Sequence, residues 1–227
     1  MTPRHDESTV ALRRAVLLHG LGRTARSMRP VERALTARGY EVLNIDYPSR
    51  VADIETLATG VAREIHRWHS DGPLDFVTHS LGGILLRVAV ARGYLSAARV
   101  HRAVMLGPPN DGSELADVLP TVPVFGWVFR QFTGPAGRQL GTGPGSVPGH
   151  LPPVPFDLGV IAGNRSYNPV FSAILGDAND GKVRVERARV EGMSDFLVVP
   201  YWHPLLMAAP KVIAQIIHFL ETSSFQR

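Results

Sequence analysis

Short apolar runs alternate along the chain with stretches in which apolar positions recur every three or four residues. Ala15–Leu18, Glu41–Ile45, Leu74–Thr78, Arg102–Leu106, Leu158–Ala162 and Phe196–Val199 are brief and rich in Val, Ile and Leu, the pattern of buried strands. Between the first two, Met28, Val31 and Leu35 share one helix face, and Gly39 supplies the stop. Ile54, Leu57, Val61, Ile65 and Trp68 make a second helical stripe, and Leu81, Ile84, Leu85 and Val88 a third. Val212, Ile213, Ile216, Ile217 and Leu220 make a closing one. Strands alternating with helices predict an α/β fold, a mostly parallel sheet with right-handed crossovers and helices on both faces. Ligands of such sheets bind beyond the carboxyl ends of the strands.

One segment breaks the rhythm. From Gly134 to Pro155, 12 of 22 residues are Gly or Pro, so neither a helix nor a strand is expected to run through it. Before it stands an apolar cluster, Val122, Val124, Phe125, Trp127, Val128, Phe129 and Phe132. The stretch from about Gly112 to Phe156 therefore reads as an excursion from the sheet, long enough to cover a site. Two readings of the cluster stand side by side: a lid or wall of an acyl pocket, or a helix packed as core on the sheet edge.

Size and composition narrow the class. A chain of 227 residues fits a single domain, 1–227, with an elaborated loop, and can bury an adequate core without disulfides or a structural metal. Hydrophobic residues at 44% and charged ones at 19% exclude a disordered chain. No apolar run approaches the roughly 20 residues of a membrane span, since Arg87 and Arg92 interrupt the greasiest helix. The acidic, h-region-free start MTPRHDESTVALRR predicts no signal peptide and a cytoplasmic protein. With no cysteine, thiolate catalysis and Cys-based metal sites are excluded. The net charge is +4, and of 24 cations only Lys182 and Lys211 are lysines. These charges are scattered among apolar helix positions rather than gathered in a stripe, which argues against nucleic acid as a partner and leaves some affinity for anionic surfaces such as a membrane.

The chemistry concentrates in LDFVTHSLGG, Leu74 to Gly83. A strand that turns abruptly into a helix through small residue, x, Ser, x, small residue is a nucleophile elbow, with Ser80 on a strained turn above the sheet. Residues two before and two after the serine must be small. Gly82 satisfies this, and Thr78 replaces the usual first glycine. Used only structurally, Ser80 would be a helix N-cap. Leu81 N–H lies at the helix start, where an anion is favoured. HGLG, His19 to Gly22, follows the first strand and offers Leu21 N–H as a second oxyanion donor; His19 itself fits a backbone-bonding role.

Serine needs a base, and the base an acid. In the order Ser, acid, His, the candidates for base are His101, His150, His203 and His218. His101 opens a strand at the wrong end of the sheet, His150 lies in the Gly/Pro excursion, and His218 sits inside the closing helix. His203 follows the last strand in a YWHP turn at the carboxyl edge. For the acid, Asp180 in GDANDGKV is favoured over Asp177 and over the alternative Asp111 in PPNDG, although any Asp near a Gly also fits a plain turn.

Taken together, THSLGG, HGLG, the DGKV acid and the late HP turn resemble the α/β-hydrolase family, and within it small bacterial esterases and lipases, over about Ala15 to Leu220. The resemblance implies a Ser80–Asp180–His203 triad, oxyanion donors Leu21 and Leu81, and hydrolysis of small-molecule or lipid carboxylic esters without metal or cofactor. Acyltransferases and thioesterases reuse the same parts, and a non-catalytic interaction module is a third class.

Overall fold

A computed structural model describes residues 13–121 and 133–227. The apolar cluster from Val122 to Phe132 lies outside the described residues.

Six strands, β1 (Arg14–Leu18), β2 (Glu41–Ile45), β3 (Leu74–His79), β4 (Val100–Leu106), β5 (Asp157–Gly163) and β6 (Asp195–Val199), form one sheet in the order β2-β1-β3-β4-β5-β6. Every pairing is parallel. Side chains alternate between the faces with period two, and both faces are covered. Val16, Leu18, Phe76 and Met105 pack with α2 (Ile54–Trp68) and α3 (Leu81–Ala91). Ala15, Leu17, Val77 and Val104 pack against α1 (Arg29–Thr36) and the closing helix.

The chain leaves β1 toward β2 on one side, then crosses back through α2 to place β3 on the other. With right-handed crossovers this reversal puts α1 and α2 on opposite faces, and opens a crevice at the carboxyl ends of β1 and β3. HGLG and Ser80 follow those two strand ends.

Two short helices follow the central strands, α4 (Glu114–Val118) and α5 (Pro169–Leu175), before the closing α6 (Pro210–Thr222). On α6, Val212, Ile216, Phe219 and Leu220 are wholly buried, each contributing about 1.5–3 kcal/mol of burial. The Gly/Pro segment differs from expectation. Residues 133–138 are helical and Pro148–His150 forms a 3-10 turn. No helix among the described residues is long and apolar enough to cross a membrane.

Candidate active site

Ser80 joins β3 to α3 at φ 53° and ψ −120°, one of two non-glycine residues at positive φ among those described. Such a conformation is strained for a residue with a Cβ and persists only where the surroundings enforce it. Here Ser80 N–H donates to Leu106 O at 2.9 Å, and Gly83 N–H donates to Ser80 O at 3.0 Å. The tight fit sets the neighbouring residue types: a Cβ on Gly82 would lie 2.6 Å from Leu18 O. Thr78 is fully buried and its hydroxyl has no partner among the described residues, so the turn tolerates a side chain there at the cost of an unsatisfied polar atom.

The loop after β1 is held by its own histidine. His19 is buried, stacks on Tyr47 with ring centroids 4.0 Å apart, and donates Nδ1–H to Gly20 O at 2.9 Å. Its Nε2 then accepts from Tyr47 N–H at 3.3 Å, while the Tyr47 hydroxyl donates to His19 O. Desolvation lowers the His19 pKa and outweighs Asp46, 3.4 Å from Nε2, so the ring stays neutral and structural. Gly22 N–H is fixed by Ser49 Oγ at 3.0 Å. Leu21 N–H, between these anchors, donates to no described residue, and Leu81 N–H is the first of its helix, which has no intrahelical acceptor.

His203 follows β6 in a 3-10 turn and is 5% exposed. Its Nδ1–H donates to Asp180 Oδ2 at 2.7 Å, and its backbone N–H to Asp180 O at 2.9 Å. Asp180 is buried, and its Oδ1 accepts from Lys182 N–H and Val183 N–H, each at 2.9 Å. The DGKV turn thus fixes the carboxylate by its own backbone. Asp111 stands elsewhere, paired with Arg187 at 2.7 Å with its side chain 63% exposed, and Asp177 faces Arg184 at 3.5 Å. Two of the other candidate bases are occupied, His101 with Asp75 at 2.9 Å and His150 with Ser146 O at 2.6 Å.

Ser80 and His203 line one cavity of about 820 Å³, together with Leu21, His79, Arg23 and Lys182. The structure therefore brings Leu21, Ser80, Asp180 and His203 to the same carboxyl rim and leaves Asp111 on the surface.

Two contributors carried no signal in the sequence. His79 is buried, with its ring centroid 4.6 Å from that of His203, and Nε2–H donates to His203 O at 3.1 Å. Burial, and then the nearby charge of His203, push its pKa well below the ordinary histidine value. Gly107, after β4 at φ 53°, is the second: a Cβ there would lie 2.9 Å from both Asp180 Oδ2 and His203 Nδ1. Only the position of His79 beside Ser80 could have pointed to the former, and nothing local pointed to the latter.

Among curated proteins none is significantly similar to this chain. Among solved structures, the Bacillus licheniformis lipase BlEst2 in its propeptide form superposes with a TM-score of 0.74 at 22% identity, over 96% of this chain and 51% of that one. This chain thus spans about half the length of the propeptide form. The mature form of the same lipase gives 0.71 at 20% identity, over 98% and 96%. The metagenomic carboxyl esterase MGS0156 gives 0.67 at 21% identity, over 87% and 66%. At these identities the likeness is one of fold. The sequence model of the alpha/beta hydrolase family matches residues 15–220, the stretch that runs from β1 through most of α6. With the parallel sheet and its strand-turn-helix serine already described, this places the chain in the alpha/beta hydrolase family.

Proposed function

We propose that this hydrolase cleaves carboxylic esters through an acyl-enzyme on Ser80. The observation that carries the reading is the convergence on one cavity of a strained Ser80 and of His203, whose Nδ1–H is committed to Asp180 at 2.7 Å. That hydrogen bond leaves Nε2 of His203 as the basic nitrogen. Ser80 Oγ attacks the ester carbonyl and passes its proton to His203 Nε2. Asp180 holds the tautomer and stabilises the imidazolium. Leu21 N–H and Leu81 N–H hold the tetrahedral oxyanion, a role in which one donor is worth about 3 kcal/mol. His203 returns the proton to the departing alcohol, and water activated by the same nitrogen then releases the acid and restores Ser80. The chemistry as written uses only the chain's own groups and water. That the superposing proteins include a lipase and a carboxyl esterase supports an ester substrate.

The test is labelling with a fluorophosphonate probe followed by turnover of p-nitrophenyl esters of graded length beside an acyl-CoA. Covalent modification of Ser80, absent in Ser80→Ala, and preference for the oxygen esters are expected. An unlabelled Ser80 overturns the catalytic reading, and preference for the thioester moves the assignment to a thioesterase.

A further inference from the structure

Four cations, Arg23, Arg26, Arg50 and Lys182, line the cavity that holds Ser80 and His203, and no described carboxylate lines it with them. Elsewhere, several partly buried arginines have anionic partners: Arg13 has Asp75 at 3.1 Å, Arg102 has Asp157 at 3.7 Å, and Arg187 has Glu114 and Asp111, while Arg87 and Arg99 are held by backbone carbonyls. Arg23 is partly buried and has no such partner among the described residues. Burial alone depresses its affinity for its proton, with no carboxylate nearby to offset it. Lys182 reaches the solvent of the cavity; burial lowers its pKa although the charge of Asp180 acts the other way, and its head lies 5.6 Å from the Phe171 ring centroid without an ion pair to an acid. Leu115, Leu119 and Leu140 give the same cavity an apolar lining as well.

Cations without an ion-pair partner gathered in a concave, partly desolvated site raise the local concentration of anions and interact with them more strongly than in bulk water. A lining that is both cationic and apolar suits a molecule with both characters. We infer that the preferred substrate is an amphiphilic ester carrying a carboxylate or phosphate, whose anion is held by Arg23 and Lys182 while its chain lies on Leu115, Leu119 and Leu140. This rests on the hydrolase reading above and narrows it to a substrate class.

Two pairs of esters matched in length test it. The carboxylate pair is p-nitrophenyl hemiglutarate and p-nitrophenyl pentanoate; the phosphate pair is a monodecanoylglycerol phosphate and monodecanoylglycerol. For at least one pair kcat/KM is expected to favour the anion by tenfold or more, with the preference shrinking as NaCl rises from 50 to 500 mM. Which pair shows it tells a free carboxylate from a lipid headgroup. The anion-to-neutral ratio should fall at least fivefold in Arg23→Gln and in Lys182→Gln and hold in Arg67→Gln, an exposed arginine on α2. A ratio is insensitive to loss of folded protein. The same pairs titrated calorimetrically into Ser80→Ala report binding without turnover, so the inference is read even where catalysis is absent. Equal or tighter binding of both neutral esters overturns it, as does an anion preference unchanged in both variants. Absence of turnover and of Ser80 labelling, with anions still bound more tightly, overturns the hydrolase reading alone.

Discussion

Asp180 grips His203 twice, through Oδ2 to the ring Nδ1 at 2.7 Å and through its carbonyl to the backbone N–H at 2.9 Å. The ring's orientation and the turn that carries it are thus set by one residue. Asp180→Asn keeps an oxygen for Lys182 N–H and Val183 N–H but turns an NH2 toward Nδ1. Nδ1 must then accept, which puts the ring proton on Nε2, where it blocks proton transfer from Ser80. A fall in kcat of roughly 10³–10⁴-fold is expected, with little change in KM. Asp111→Asn removes only an exposed pair with Arg187, worth less than about 1 kcal/mol, and should leave kcat near that of the parent. Steady-state kinetics of the two variants check this, and comparable losses in both would contradict it.

Gly107 is the place where β4 gives way to the carboxyl rim, and its missing side chain makes room for the Asp180–His203 pair. Gly107→Ala meets two costs. The positive φ disfavours any Cβ by about 1–2 kcal/mol, and the methyl would press on Oδ2 and Nδ1. Gly93, at φ 73° with nothing within 4 Å of where a methyl would stand, meets the first cost alone. Both alanine variants should melt a few degrees lower, while only Gly107→Ala loses tenfold or more in kcat. Thermal melts beside kinetics separate the two effects, and equal kcat in both would remove the packing argument.

His79 and His19 make folding sensitive to mild acid. Both have folded-state pKa values below the ordinary 6.5, chiefly because burial disfavours the charged ring. Between those depressed values and 6.5 the unfolded chain binds more protons than the folded one, so stability rises with pH through that window. Their contribution is complete above about pH 6.5 and is lost as pH falls, at up to about 1.4 kcal/mol per pH unit for each ring. Urea midpoints from pH 8 to 5 should drop below 6.5. In His79→Gln, whose amide can still donate to His203 O, the drop should be shallower. A parallel profile would show that His79 titrates alike in both states.

How far all this was legible follows from where each constraint lies along the chain. The four inner strands were readable because sheet residues buried on both faces must be apolar whatever their partners, although β4 starts two residues earlier, at Val100; the edge strands β2 and β6 are only partly buried and were readable from their Val, Ile and Leu content. The Ser80 turn was readable because its demands fall within five consecutive residues. Helix α5 escaped notice because it is only seven residues long and Val170 on it is exposed, so it presents no stripe. Residues 133–138 are helical despite Gly134, Pro135 and Gly137, which local composition alone marks as breakers. Strand order favoured Asp180 over Asp111 but left both open, because their different surroundings depend on segments distant in sequence. The same holds for Gly107 and for the cations of the cavity, whose meaning comes from the groups across from them.

The Tyr47–His19 stack offers a test of the proposed oxyanion loop that leaves Ser80, His203 and Asp180 untouched. The Tyr47 hydroxyl donates to His19 O, its backbone N–H to His19 Nε2, and its ring lies 4.0 Å from the imidazole. Burial holds its proton far more tightly than usual, so it remains a donor at any working pH. Tyr47→Phe keeps the ring, the stacking and the backbone bond and deletes one donor to the carbonyl that begins HGLG. Losing a buried hydrogen bond of this kind costs about 1–3 kcal/mol of stability. The freed carbonyl also loosens the turn that presents Leu21 N–H. If that N–H stabilises the transition state, kcat should fall by roughly ten- to a hundredfold with KM little changed, since one oxyanion donor is worth about 3 kcal/mol and is only partly displaced here. A rise in KM at constant kcat would instead assign the loop to substrate binding. Parent-like kinetics with a lower melting temperature would make the stack purely structural.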